Sequence, residues 1–205
     1  GQVMLTGARA NHARIDLMAL GLNASDANSD PAAMLADPDR INAVLFSSAA
    51  GLVKGLERAG ATRIGLSDVD LVWAGEGQEK LHVVDFELRR KDRALMVTGS
   101  MTRSEGSYGV DGSAELGADD SVSALDVALD LPERKSAGGQ AALSAARVHL
   151  SGSQVGVERL SVTLEPFDIS LVDKDVGLIV ARVAASADIT SGSGGIGFRE
   201  ITAEF

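Results

Sequence analysis

The side chains with the widest chemical repertoire are the three histidines, His12, His82 and His149. Each falls in a stretch that reads as a strand, and lone strand histidines are usually structural or exposed, so a shared metal centre would need the fold to collect them. Asp111, Asp119, Asp120 and Asp126 crowd two expected turns. A calcium loop spaces its oxygen ligands at alternate positions around a glycine; Asp119-Asp120-Ser121-Val122 lacks that order, and these carboxylates read as solvated. Absence of cysteine removes thiol nucleophiles, thiolate metal sites and disulfides together. There is no Gly-x-Ser-x-Gly elbow, and the glycine-rich run at Gly192–Gly197 leads into a strand without the Lys-Ser/Thr of a phosphate-cradling loop. Arg89-Arg90-Lys91-Asp92-Arg93 is the one basic cluster; at a turn without interleaved aromatics, it reads as a guard on apolar strands rather than a nucleic-acid patch. No catalytic set, metal site or cofactor is implied, and the chain reads as a protein that is not an enzyme.

The elements around these residues are more legible than any chemistry. Asp37-Pro38-Asp39 supplies a cap acceptor, a proline whose missing N–H costs nothing at the first helical position, and a carboxylate at the positive end of the helix dipole. From there Ile41, Val44, Leu45, Ser48, Leu52, Leu56 and Ala59 recur at three- and four-residue steps, predicting an amphipathic helix over about 38–59 that Gly60 ends. Gly51 and Gly55 are expected to let that helix lie close on a sheet. The period then becomes two: Ile64 and Leu66, then Val69, Leu71 and Trp73, a parity change around Ser67-Asp68 that predicts a bulge or twist. After a turn at Gly75–Gln78, the return strand places His82, Val84, Phe86 and Leu88 on one face.

Further strands are expected on both sides. Gln2–Gly7 and His12–Leu22 read as an opening hairpin turned by Ala8-Arg9-Ala10-Asn11, followed by an exposed loop over 23–30 and a short helical turn over 31–36. Beyond the central hairpin come Ala94–Arg103, Tyr108–Leu116, Leu125–Leu131, Leu143–Leu150, Val155–Leu164, Ile169–Val172, Val176–Ile189 and Ile196–Phe205, with a longer loop at 132–140 as a possible sub-boundary. The expected fold is therefore mainly β: a long-stranded, twisted antiparallel meander over residues 1–205, open as a groove or closed like a sandwich. One helix packs on it through Ile41, Leu45, Leu52 and Leu56. The terminal strands, Gln2–Leu5 and Ile201–Phe205, have no closing turns, so the chain reads as a fragment whose parent continues the sheet.

Composition narrows the partners. Hydrophobic residues make up 45% of the chain but aromatics only 3%, so a core or groove here is walled mainly by aliphatic side chains. The formal net charge of −10 argues against nonspecific binding to nucleic acid or anionic headgroups, both of which call for excess Lys and Arg. No apolar run approaches the roughly 20 residues that span a bilayer.

Over Leu52–Gly117, the helix ending Gly55-Leu56-Glu57-Arg58-Ala59-Gly60, the strands Ile64–Trp73 and Leu81–Leu88, and those at Leu95–Met101 and Tyr108–Leu116 together resemble the AsmA-like family, the bacterial AsmA, TamB and YhdP group. The resemblance implies a periplasmic, curved β-groove anchored in the inner membrane through a helix absent here. It further implies a role in moving phospholipid toward the outer membrane or maintaining that membrane, and it carries no catalytic residues. An open aliphatic face suits acyl chains, and Val84, Phe86, Leu88, Leu95, Val97, Val127 and Leu129 are the side chains expected to face a lipid. The alternative is a dry-cored scaffold or interaction module whose apolar face is sealed; an enzyme with a polar cleft is the third reading.

Overall fold

The computed structural model describes residues 7–16, 38–73, 79–104, 106–136, 138–154, 159–173, 177–190 and 195–204. The expected strand at Gln2–Leu5, the segments 17–36, the cap at Asp37, the turn at Gly75–Gln78 and most of the glycine-rich turn at 191–194 lie outside them.

The described residues form one mixed, unclosed sheet. Its strands are β1 (Ala8–Asp16), β2 (Arg63–Trp73), β3 (Glu79–Lys91), β4 (Ala94–Arg103), β5 (Gly106–Leu116), β6 (Val122–Leu131), β7 (Arg134–Lys135), β8 (Ala141–Leu143), β9 (Ala146–Ser153), β10 (Arg159–Asp173), β11 (Gly177–Thr190) and β12 (Gly195–Glu204). The one described helix is α1 (Pro38–Arg58). Strand order follows the chain from β1 to β6, then passes directly to β9 and on to β12, with β7 and β8 as a short side excursion. The meander is thus continuous across 132–140, since β6 pairs with β9.

The sheet departs from a purely antiparallel arrangement at its first pair. Ala8-Arg9-Ala10-Asn11 is not a turn; it lies inside β1, which runs parallel to β2 with Ala8 opposite Ile64. Adjacent parallel strands require a crossover connection, and α1 supplies it. Two further boundaries are corrected. Val155–Leu164 and Ile169–Val172 belong to a single strand, β10, whose described part begins at Arg159 and which absorbs Glu165-Pro166 as a bulge. The expected strand at Leu143–Leu150 is broken into β8 and β9.

The helix ends as its sequence requires. Gly60 takes the left-handed conformation at φ 59°, its N–H donates to the Glu57 carbonyl at 3.0 Å, and the Ala61 N–H donates to the Leu56 carbonyl at 3.1 Å, a Schellman closure. The buried seam is Phe46, Val53 and Leu56, with Leu45, Ala49 and Ala50 partly covered. Leu52, expected in that seam, is exposed. Phe46, Val53 and Leu56 share one core with Leu88, Leu95, Ala114, Leu125, Leu150 and Leu160, so the helix rests on the middle of the sheet. Arg90 fixes its C-terminal end from below: the guanidinium donates to Glu57 Oε1 at 3.4 Å and to Asp120 Oδ1 in the β5–β6 turn at 2.5 Å. The basic cluster at 89–93 thus contains a structural clamp.

In the same turn Asp119 accepts from the Ser121 hydroxyl at 2.6 Å and the Ser121 N–H at 3.2 Å, and these bonds hold its carboxyl below the ordinary value. Folding therefore favours the ionised form. The resulting stabilisation is complete above the ordinary carboxylate range and disappears as pH falls through the lowered folded value. Ser121→Ala should move the Asp119 titration, followed by NMR of its carboxyl carbon, back upward; an unmoved titration would show that the hydroxyl contributes nothing.

Candidate functional site

Residues directly opposite each other across a ladder project to the same side of a sheet, so the pairing register assigns every strand a face. One row runs Ala8, Ile64, Leu88, Val97, Gly112, Val127, Leu150, Val162, Ala187, Phe198, crossing ten strands without a polar side chain. The next row runs Ala10, Leu66, Phe86, Gly99, Val110, Leu129, Val148, Leu164, Ala185, Ile201, again apolar or glycine throughout. With nine inter-strand spacings of about 4.8 Å, each row makes an apolar path of roughly 43 Å. The intervening row on the opposite face reads Arg9, Gly65, Glu87, Thr98, Asp111, Ala128, His149, Thr163, Ser186, Glu200. The sheet is thus two-faced, apolar on the helix side and largely polar on the other.

Bulges keep it so. Because side chains alternate, an apolar set that changes parity along a strand would turn to the wrong face unless an extra residue were inserted. Register shifts occur at four places: Val83/Asp85 in β3, Glu115/Leu116 against β6, Leu164/Phe167 in β10 and Ser186/Ala187 against β12. In β10 the apolar set passes from Leu160, Val162 and Leu164 to Phe167, Ile169 and Leu171 across the shift; in β12 it passes from Phe198 to Ile201. The irregularity expected at Ser67-Asp68 is also present, as a local kink shared with the neighbouring strands rather than a bulge in β2 alone. Asp68 takes φ 53° and His12 beside it φ 50°, and both drop out of the β1–β2 ladder between Asn11/Ser67 and Ala13/Val69. Beyond it Val69 and Val83 are paired and buried.

Six of the side chains expected to face lipid lie on the apolar side: Leu88, Val97 and Val127 in the first row, Phe86 and Leu129 in the second, Leu95 one row further on. Val84 does not join them. The β3 bulge leaves it unpaired and 46% exposed, and Val83 takes its place opposite Met101. Leu88 and Leu95, each 3% exposed, are sealed beneath α1, whereas Phe86, Val97, Val127 and Leu129 are only partly buried. The open parts of the face lie beyond the helix. Toward β12, Phe198 and Ile201 are 68% and 61% exposed. At the other end of the β3–β6 strands, Leu81, Met101, Tyr108, Val110, Leu129 and Leu131 line a cleft that also meets Arg103 and Arg134. Sequence reasoning passed over Tyr108, Leu131 and Phe198 as lining residues, although carrying strict alternation on from Val110, Leu129 and Ile201 through each bulge points to them.

Each histidine is paired with an aspartate; His12 and His82 both lie against Asp68, and His149 stands apart. His12 Nδ1 bonds Asp68 Oδ2, and His82 shares a 2.9 Å bond with Asp70 Oδ1 while its Nε2 lies 3.6 Å from Asp68. His149 is on β9, 2.9 Å from Asp126 Oδ1. Among the described residues no three His, Asp or Glu side chains converge as a metal set. The four aspartates of the β5–β6 region separate in the same way: Asp119 binds Ser121, Asp120 binds Arg90, Asp126 binds His149, and Asp111 sits on the polar face of β5. The apolar face is therefore the feature from which a function can be built. No family model, curated protein or solved structure matches this chain.

Proposed function

We propose that this chain is a non-enzymatic module of the bacterial periplasm that lays acyl chains along the apolar face of an open sheet. In this reading it contributes to phospholipid movement between the inner and outer membranes or to outer-membrane maintenance. The observation that supports it is the pair of neighbouring apolar rows running unbroken across ten strands, of which only Leu88 and Leu150 are buried. The aliphatic character of the rows suits acyl chains, and every acidic group in the intervening row lies on the other side. β1 and β12 stand at the two ends of the described strand order, and the reading has adjoining β segments of a parent protein continue the path from there. No helix of the described residues is long and apolar enough to cross a membrane, and the anchor in this reading is a separate inner-membrane segment of the parent.

The second reading, a dry-cored scaffold, draws on the sealing of Leu88 and Leu95 under α1. Substitutions separate the two. Leu129→Asp places a charge on the wall of the open cleft and Phe198→Asp places one on the exposed end of the track. A charge where an acyl chain must lie is opposed by several kcal/mol, about 2–7 even for a neutral polar group without a partner. Lipid recovered with the protein, quantified by mass spectrometry, should fall severalfold for both variants while the β circular dichroism persists. Loss of fold in both, with no lipid on the parent, would establish the scaffold.

A further inference from the structure

The cleft at the end of the second apolar row has a volume of about 460 Å³, within the range of roughly 300–1,000 Å³ typical of small-ligand pockets. Its floor is aliphatic, built from Leu81, Met101, Val110 and Leu129, and its rim is not: Arg103, Tyr108 and Arg134 stand around it. Arg134, on the short strand β7, donates from Nη2 to the Tyr108 hydroxyl oxygen at 2.6 Å. That bond orients the guanidinium and occupies one of the five N–H donors such a group carries. The acidic residue lining the same cleft, Asp130, has its carboxylate engaged by Arg147 at 2.9 Å. In a chain with a formal net charge of −10, two arginines at the mouth of an apolar cleft run against the overall sign.

We infer that this cleft seats the head of an anionic amphiphile: a phosphate or phosphate ester held by Arg134, with its alkyl chain laid over Val110 and Leu129 into the second row. The inference rests on reading the apolar face as an acyl-chain track, and it adds a preference for head charge and a direction in which the chain lies. A planar, oriented guanidinium recognises phosphate oxygens through paired charge-assisted bonds. A neutral head gains only the apolar contact.

Calorimetric titration of the purified protein with dodecyl phosphate, dodecyl maltoside and inorganic phosphate, the two amphiphiles kept below their micelle concentrations, tests this. Dodecyl phosphate should bind about tenfold more tightly than dodecyl maltoside, the ratio one charge-assisted bond supplies, and inorganic phosphate more weakly than either. Arg134→Gln should bring dodecyl phosphate down to the level of the maltoside and leave the maltoside unchanged; Tyr108→Phe, which keeps the ring and removes the orienting oxygen, should give part of that loss. Equal affinity for the two amphiphiles would overturn the head-group seat and leave the track standing. Binding of neither would remove the track itself, and inorganic phosphate binding as tightly as dodecyl phosphate would make the site a simple anion site and overturn the inference.

Discussion

Leu56→Ala should lower the unfolding free energy by about 2–5 kcal/mol, the range for a large-to-small change at a well-packed site, whereas Leu52→Ala should change it by under about 1 kcal/mol. Leu56 is 1% exposed, lies among the core side chains shared by α1 and the sheet, and its carbonyl accepts the Ala61 N–H that closes the helix. Removing its side chain leaves a cavity at the place where helix, turn and sheet meet. Leu52 is one turn away and exposed. Urea titration of both variants measures the difference; equal losses would mean that α1 docks through another stripe, and that the helix covers a different part of the apolar face.

The second large effect comes from a residue with no side chain. Gly112 sits in the first apolar row between Val97 and Val127, and a Cβ placed there would lie 2.8 Å from the Asp126 carbonyl oxygen and 2.9 Å from Val127 Cγ2. Real side chains do not approach backbone so closely, so the strand or its neighbour must move. Gly99, one row away, is equally crowded, with the Phe86 ring lying over it. Gly112→Val is expected to destabilise by about 1–3 kcal/mol, as overpacking does, and to disturb the path at its midpoint. Gly65→Ala on the polar face is the control: its nearest atom is 3.5 Å away, and replacing glycine within a strand should there be neutral or slightly favourable. If both substitutions behaved alike, the close lateral packing of the apolar rows would be wrong.

How much of this was readable beforehand depends on the strength of each local signal. The helix limits came through clearly because Pro38 and Gly60 act through the backbone, independent of what the helix packs against. Its seam came out about one residue off. Ala49, Ala50, Leu52 and Val53 make much of the circumference apolar, so sequence alone supports two stripes, and the sheet selects between them. The kink at Asp68 was legible as a change of parity, since Leu66 and Val69 are both strongly apolar. The one at Val84 was not, because Val83 and Val84 are identical in type and only the register with Met101 shows which faces the core.

The turn expected at Ala8-Arg9-Ala10-Asn11 lies inside β1 for a related reason. The strand's inward positions include Ala8, Ala10 and Ala13, whose small side chains give almost no alternation, and the parallel partner that fixes the strand lies fifty-six residues on in sequence, Ala8 against Ile64. The two strands expected at Val155–Leu164 and Ile169–Val172 join as one, since Pro166 falls at a bulge, where no ladder bond is required of a proline. For the candidate site, the identity of the apolar face followed from alternation. Which part of it stays open did not, because that is decided by where α1 comes to rest.

The claim that acyl chains lie on this face is tested most directly by photocrosslinking of the protein mixed with phospholipid vesicles, with a benzophenone side chain introduced at Leu131 or Phe198 on the apolar face, and at Thr98 or Glu200 on the polar face. Mass spectrometry of the irradiated protein should find phospholipid adducts at the first two positions and none at the second two. Adducts absent everywhere, or equally abundant on both faces, would contradict it.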